Sequence, residues 1–157
     1  MTSLSLALPD DSATTRLGVL LAGLVQPGDT VLLHGPVGAG KTHLARALIQ
    51  ARLGRAEDVP SPSFTLVQTY AADGADIWHA DLYRLSHPHD VLELGLDDAF
   101  ASAICLIEWP DRLGKSTPKN ALNITLSAEG DGRRAVLSSD GHSKLLASLA
   151  AGWPAHD

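Results

Sequence analysis

The stretch Gly35-Pro36-Val37-Gly38-Ala39-Gly40-Lys41-Thr42 fits the pattern G-x-x-x-x-G-K-[ST] at every fixed position. In such a loop the glycines let backbone N–H groups turn toward phosphate oxygens. The lysine reaches the β- and γ-phosphates, and the hydroxyl ligates Mg²⁺. The pattern therefore predicts a binding site for a nucleoside triphosphate. The residues expected to contact it are Gly35, Val37, Gly38, Ala39, Gly40, Lys41 and Thr42.

The flanking residues supply the elements that such a loop requires. A short apolar run at 29–34 follows the turn Gln26-Pro27-Gly28 and predicts a buried strand. Residues 43–50 have apolar side chains at helical spacing, and Gly54 is a stop signal. Strand, loop and helix in this order put phosphates at a helix N-terminus, where unpaired N–H groups and the helix dipole favour anions. This context disfavours the alternative, a glycine-rich turn that binds nothing.

The bulk composition is that of a soluble globular protein. The 157 residues fit one domain, residues 1–157, with 45% hydrophobic and 19% charged residues. No apolar stretch is long enough to span a bilayer, and the N-terminus lacks the layout of a signal peptide. The single cysteine, Cys105, lies in an apolar run, which indicates an inert core thiol and fits a reducing compartment. We therefore expect a cytoplasmic protein without membrane partners.

The charge distribution argues against direct binding of nucleic acid. The formal net charge is −6, and Arg133-Arg134 is the only adjacent pair of basic residues. Proteins that bind nucleic acid by themselves usually carry a basic patch. We therefore expect no stand-alone nucleic-acid binding, and any nucleic-acid role would run through a partner.

The remaining segments predict an α/β domain of the P-loop NTPase type, with a mixed central sheet, antiparallel hairpins and flanking helices. The predicted strands are 3–8, 64–70, 76–81, 104–107, 122–126 and 134–137, besides the strand before the loop. The predicted helices are 12–25, two short helices within 87–103 around Gly95, a loop or short helix at 110–118, and 142–150. Turns at 72–75 and 129–132 predict two hairpins, which interrupt the βα alternation of a parallel sheet.

Two carboxylates end predicted strands. Asp81 ends the strand from Ile77, and Glu108 ends the strand from Ile104. Ligands of open α/β sheets collect at such strand ends, and a phosphate loop needs an opposing carboxylate to organise Mg²⁺ and the attacking water. With Lys41, these two acids are the candidate catalytic residues. Without the loop, each would be interpreted as a solvated strand-end carboxylate or a helix cap.

Two further segments have polar side chains whose roles the residues alone leave open. In a strand, His79, Asp81 and Tyr83 share one face. His79 fits a structural hydrogen-bonding role better than that of a catalytic base, and Arg84 braces a carboxylate or a partner contact more readily than it stabilises transferred charge. The segment Ser61-Pro62-Ser63-Phe64-Thr65 fits equally a nucleotide-ordered switch and a proline-stiffened turn.

Together these segments resemble the TsaE family, also called YjeE-like, the small bacterial ATPases of tRNA threonylcarbamoyladenosine biosynthesis. The resemblance rests on four blocks: GPVGAGKT at 35–42, SPSFTLV at 61–67, HADLYRL at 79–85 and ICLIEW at 104–109. The opening from Leu8-Pro9-Asp10 to Leu17-Gly18 is also similar. The loop alone indicates a superfamily, whereas the third and fourth blocks at this spacing are far more specific.

The resemblance implies a function in the modification of adenosine 37 of tRNAs. A protein of this family is expected to bind ATP with Mg²⁺ and to hydrolyse ATP slowly by itself. Its expected partners are the TsaB and TsaD proteins, whose repeated turnover it supports, and it reaches tRNA only through that complex.

The resemblance also implies roles for individual residues. Residues 38–41 would hold the phosphates, Thr42 would ligate Mg²⁺, and Asp81 would be the Walker-B-like acid. Glu108 would bind Mg²⁺ or position the attacking water. Three residues are expected near the nucleotide or the partner surface: Trp109, Arg133 and, near the base, Thr14.

Two other uses of a phosphate loop stay open. A small-molecule or nucleoside kinase needs an acceptor pocket and often an arginine-bearing lid. The sequence shows no arginine-rich lid, and the short segment Gly114-Lys115-Ser116 is a weak candidate for one. A non-hydrolysing sensing module would bind ATP only to fix a binding surface.

Overall fold

A computed structural model describes residues 2–62, 65–72, 74–85, 87 and 90–153. Over these residues the chain forms one seven-stranded sheet with the order β1-β7-β6-β2-β5-β4-β3. The strands are β1 (Thr2–Leu8), β2 (Thr30–His34), β3 (Val67–Ala72), β4 (Ala75–Asp81), β5 (Ile104–Glu108), β6 (Leu122–Glu129) and β7 (Gly132–Ser139). The helices are α1 (Asp11–Ala22), α2 (Lys41–Leu53), α3 (Asp90–Glu93), α4 (Leu96–Ser102) and α5 (Ser143–Gly152), with a 3₁₀ helix at Pro110–Ser116.

The sheet is mixed, as predicted. β2 is parallel to β5 on one side and to β6 on the other, and β4 is parallel to β5. Both predicted hairpins are present, because β3 pairs antiparallel with β4 and β6 pairs antiparallel with β7. The carboxyl ends of β2, β5 and β4 therefore meet at one edge of the sheet, which is where parallel sheets bind ligands.

Several element boundaries differ from the predicted ones. α1 ends at Ala22 instead of residue 25, because Gly23 caps it and its N–H donates to the Leu20 and Leu21 carbonyl oxygens. The apolar residues that suggested a longer helix include Val25, which is fully buried in the turn that follows. β3 begins at Val67, later than the predicted residue 64. Five residues of predicted segments lie outside the described residues: Ser63, Phe64, Asp73, Pro88 and His89.

The central strands form the core. All five residues of β5 are buried, as its continuous apolar run predicted. Within it Cys105 is fully buried, and burial raises the pKa of its thiol to about 12. Cys105 is therefore a core residue and not a nucleophile at neutral pH.

α1 and α2 pack closely through a residue without a side chain. A Cβ at Gly18 would lie 2.5 Å from the Cβ of Ala47, so only glycine allows this approach. α1 begins with Asp10 as its N-cap, whose Oδ1 accepts from the Ala13 N–H at 2.9 Å. The packing brings α1 against the helix that follows the phosphate loop. In the described part of the chain, no helix is long and apolar enough to cross a membrane.

Candidate functional site

The phosphate loop connects β2 to α2 through three glycines with positive φ, which other residues rarely adopt. The values are 142° at Gly35, 82° at Gly38 and 100° at Gly40. A Cβ at Gly35 would also lie 2.5 Å from the Leu126 carbonyl oxygen on β6. Gly40 is the N-cap of α2 and has no side chain to bond the first N–H groups of the helix. These groups are therefore available to an anion.

A cavity of about 390 Å³ opens beside this loop, within the size range of small-molecule sites. It brings together residues of the loop, the ends of β4 and β5, and β7. Its lining residues are Val37, Gly38, Gly40, Lys41, Thr42, His43, Ser61, Asp81, Tyr83, Glu108, Trp109 and Arg133. Of the predicted phosphate-contacting residues, Gly35 and Ala39 lie outside this lining, and Ala39 is buried.

The Lys41 side chain is folded back onto its own loop. Its Nζ donates to the Gly35 carbonyl oxygen at 2.6 Å and lies 3.3 Å from the centroid of a Trp109 ring, a cation–π contact. Burial lowers the pKa of Lys41, and the nearby carboxylates, Glu108 foremost, oppose that shift. The charged form is therefore held in an unfavourable, desolvated position that an incoming phosphate would improve.

The Glu108 carboxylate connects β5 to the loop. It is 2% exposed, and both of its oxygens lie 3.0 Å from the Thr42 hydroxyl, which donates to them. Its Oε2 is also 2.7 Å from Nε2 of His79 on β4. Because a buried charge is costly unless it is hydrogen-bonded, these contacts determine where the carboxylate points.

Asp81 lies directly beside Glu108 and has a different environment. The two residues are register partners on the parallel strands β4 and β5, so their side chains share one face of the sheet. Asp81 is 5% exposed, and its Oδ1 accepts from the Tyr83 backbone N–H at 3.0 Å. Its carboxylate braces the turn after β4 while it lines the cavity. Tyr83 lies beyond the strand and is half exposed, so it does not continue the face of His79 and Asp81.

Arg133 brings a positive charge to the loop from β7. Its Nη1 lies 2.9 Å from the position that a Cβ on Gly40 would occupy, and it donates to Asp11 Oδ1 at 3.2 Å. The absence of a side chain at Gly40 therefore makes room for the guanidinium. The resemblance implies that Arg133 lies near the nucleotide or the partner surface, and this role stays a prediction.

Trp109 has a strained backbone at the mouth of the cavity. Its φ is 58°, in the left-handed region that aromatic residues rarely adopt. Its ring centroid lies 4.9 Å from that of Tyr83. Trp109 also borders a second cavity of about 390 Å³, formed with residues 33–36 and 110–111. Strain of this kind is concentrated at ligand clamps and switch regions.

Thr14 is the residue for which the resemblance implies a position near the base. It is fully buried in α1 and is not part of the cavity lining. Its neighbour Thr15 instead contacts His43, with 2.8 Å between Oγ1 and Nε2, and His43 lines the cavity. α1 therefore reaches the site through the first turn of α2.

Three lining residues are absent from the predicted site: His43, Ser61 and Tyr83. His43 directly follows Thr42, and that adjacency is a signal the sequence carries. Ser61 belongs to the segment for which a switch was considered, and this role stays a prediction.

The donor set suits a hard cation that takes only a few ligands from the protein. In the part of the chain that the structure describes, no group of three or more His, Cys, Asp or Glu side chains is arranged to hold a metal ion. Mg²⁺ commonly binds through one or two protein oxygens and takes its other ligands from phosphates and water. The Thr42 hydroxyl and the Glu108 carboxylate, which are in contact at 3.0 Å, offer such oxygens.

Comparisons with known proteins agree with the sequence resemblance. Residues 8–136 match the family model described as "Threonylcarbamoyl adenosine biosynthesis protein TsaE". Two relatives are named tRNA threonylcarbamoyladenosine biosynthesis protein TsaE. The Rickettsia felis protein is 34% identical, over 93% of this chain and 86% of its own length. The Haemophilus influenzae protein is 35% identical, over 87% of this chain and 90% of its own length.

A solved structure has a similar fold. A crystal structure of Bacillus subtilis YdiB superposes with a TM-score of 0.80 at 28% identity, covering 96% of this chain and 95% of that chain. The family match spans most of the chain, and it includes the phosphate loop and the strands that end at Asp81 and Glu108. The resemblance to the family is confirmed, and the chain belongs to the TsaE family.

Proposed function

We propose that this protein binds ATP with Mg²⁺ and hydrolyses it as an accessory ATPase of tRNA threonylcarbamoyladenosine biosynthesis. Family membership supports the pathway. The observation that carries the chemistry is the contact between Thr42 and Glu108, with 3.0 Å from the hydroxyl to each carboxylate oxygen. It joins the predicted metal ligand of the loop to an acid at the end of the adjacent strand β5.

The loop and two cations support triphosphate binding. The N–H groups at the start of α2 face an anion site, since Gly40 leaves them without a capping side chain. Lys41 and Arg133 line the same cavity and supply positive charge in a chain whose formal net charge is −6. A triphosphate would also relieve the burial of the charged Lys41 amine.

The two acids have separate roles in hydrolysis. Bound Mg²⁺ would neutralise charge on the transferred phosphoryl group. Glu108 is the acid that reaches the loop threonine, so we assign it to the metal ion or to orientation of the attacking water. We assign Asp81 as the Walker-B-like acid. It holds the turn after β4 and lies beside Glu108.

Partners complete the function in this proposal. In the structure Lys41 is bound to the Gly35 carbonyl oxygen and covered by Trp109, so the site by itself is not arranged for catalysis. We therefore expect slow hydrolysis by the isolated protein and faster hydrolysis with the TsaB and TsaD proteins. The formal net charge of −6 favours access to tRNA through that complex. This function belongs in the cytoplasm.

ATP hydrolysis should be measured with and without the TsaB–TsaD pair and tRNA, for the wild type and for Glu108→Gln. We expect slow turnover that rises with the partners and falls strongly in the variant, which keeps the shape of the side chain but loses its charge. Brisk hydrolysis that ignores the partners, or full hydrolysis by the variant, would contradict the proposal. A wild type that binds ATP but never hydrolyses it, even in the complex, would be a nucleotide-sensing module instead.

A further inference from the structure

A histidine is buried directly behind the candidate catalytic acid. His79 is 0% exposed, and its Nε2 lies 2.7 Å from Oε2 of Glu108. The register explains the contact: His79 is opposite Leu106 on β5, and Glu108 lies two residues further along the same face. The contact needs a donor opposite an acceptor, and the tautomer with its ring proton on Nε2 donates to the carboxylate oxygen.

Glu108 has two anchors, and they differ in kind. The Thr42 hydroxyl belongs to the loop and is the group predicted to ligate Mg²⁺. The His79 ring belongs to the sheet interior and lines no part of the cavity. Thr42 would ligate Mg²⁺ through an oxygen lone pair, which leaves its O–H able to donate to Glu108. The bond from His79 does not involve the loop, and it orients the carboxylate from the side of the sheet.

We infer that His79 is a positioning residue, which holds the Glu108 carboxylate oriented toward the Thr42 hydroxyl and the predicted metal site. The inference rests on the proposed ATPase function. It replaces the simpler interpretation of His79 as a residue that only stabilises the sheet.

The second ring nitrogen of His79 argues against a purely structural role. Within the described residues, Nδ1 has no hydrogen-bond partner although it is buried. A buried polar atom without a partner lowers stability, so an apolar side chain would suit this position better if packing were the only requirement. What the imidazole provides and an apolar residue cannot is the donor at Nε2.

Two substitutions separate the donor from the space that it fills. His79→Gln places an amide donor near the position of Nε2, whereas His79→Leu fills a similar volume without a donor. Loss of a residue that orients a metal-site ligand costs about 10–100-fold in activity. We expect His79→Leu to lower kcat in the partner complex by this factor with unchanged nucleotide affinity in EDTA, and His79→Gln to recover most of the loss. Equal kcat values for the wild type and His79→Leu would overturn the inference.

A readout independent of hydrolysis is the Nε2–H resonance of the histidine rings in ¹⁵N NMR. We expect the buried His79 proton to exchange slowly with water and to stay protected after a non-hydrolysable ATP analogue and Mg²⁺ are added. The ring of His43, whose contact with Thr15 is exposed, is the internal control. Exchange of His79 as fast as that of His43 in the loaded protein would overturn the inference.

The two measurements keep the inference and the proposed function apart. If the wild type binds the analogue but no preparation hydrolyses ATP, the ATPase proposal fails and the NMR result decides the role of His79. If the wild type hydrolyses ATP and His79→Leu does so equally well, the inference fails alone. If no nucleotide binds at all, both are wrong.

Discussion

The hydroxyl of Thr42 lies 3.0 Å from both carboxylate oxygens of Glu108. Thr42 lies in the first turn of α2 and Glu108 ends β5, so a single contact joins the end of the phosphate loop to the strand beside it. The hydroxyl donates to an acceptor that is almost fully buried, and hydrogen bonds to charged groups contribute about 1.5–3 kcal/mol. The contact therefore holds the loop ready before any ligand arrives.

Removing the hydroxyl at position 42 should uncouple this site. Thr42→Val keeps the shape of the side chain but leaves Glu108 without the loop donor, and it removes the predicted metal ligand. We expect Mg²⁺-dependent ATP hydrolysis to fall ~10–100-fold, whereas Thr42→Ser should stay within a few-fold of the wild type. A larger loss in Thr42→Ser than in Thr42→Val would show that the methyl group, and not the hydroxyl, is what the site requires.

Replacing Lys41 should stabilise the fold while it removes function. Burial lowers the pKa of Lys41, so the folded state disfavours the charged amine that the unfolded chain tolerates. Lys41→Met should raise the free energy of unfolding at neutral pH by ~1 kcal/mol and abolish nucleotide binding. Thermal denaturation and equilibrium dialysis measure the two effects.

The same pKa shift determines how stability depends on pH. Between the lowered folded pKa of Lys41 and its ordinary value of 10.5, the unfolded chain binds more protons than the folded one. Wild-type stability should therefore gain from this group as pH rises through that window. The advantage of Lys41→Met should shrink over the same interval, and an advantage that grows with pH would contradict this account.

Trp109 should report nucleotide binding. Its ring lies 3.3 Å from the Lys41 amine, which has to leave the ring to reach a phosphate. We expect ATP to change the tryptophan emission of the wild type, and we expect the change to be missing in Trp109→Phe. Since the chain has 3 tryptophans, the difference between the two titrations isolates position 109. The same response in both proteins would place the signal elsewhere.

Arg133 and Arg134 form a matched pair for testing the charge beside the loop. Adjacent strand residues point to opposite faces. Arg134 does not line the cavity, and its Nη2 donates to Glu129 Oε1 at 2.9 Å. Arg133→Ala should raise the Kd for ATP about tenfold, the loss expected for one charged contact. Arg134→Ala should leave the Kd unchanged, and similar effects of the two variants would argue for a general charge effect.

The order of strands and helices around the site could be predicted from the sequence, because each element is indicated by residues that are close together in the chain. The apolar run before the loop, the helical spacing after it and the two hairpin turns each depend on neighbouring residues. That Asp81 and Glu108 end strands was predictable for the same reason. That they are register partners depends on how β4 aligns with β5, which no single segment specifies.

Other features of the site depend on contacts between distant segments. Arg133 reaches Gly40 only because β7 pairs between β1 and β6. Its place in the site was predictable from the family resemblance and not from spacing. The left-handed backbone of Trp109 has no signal in the residue type, since aromatic residues seldom adopt it. His79 is placed by the same strand alignment that brings the two acids together.

Gly18, where α1 packs against α2, affects which substitutions this chain tolerates. A Cβ at Gly18 would meet Ala47 at 2.5 Å, whereas one at Gly38 in the phosphate loop would meet no atom of the described residues within 4 Å. A substitution at Gly38 strains the backbone and disturbs ligand binding, but one at Gly18 forces two helices apart. A deep mutational scan should therefore find that Gly18, which lies outside the recognisable motif, tolerates replacement less well than Gly38 within it when folding is measured.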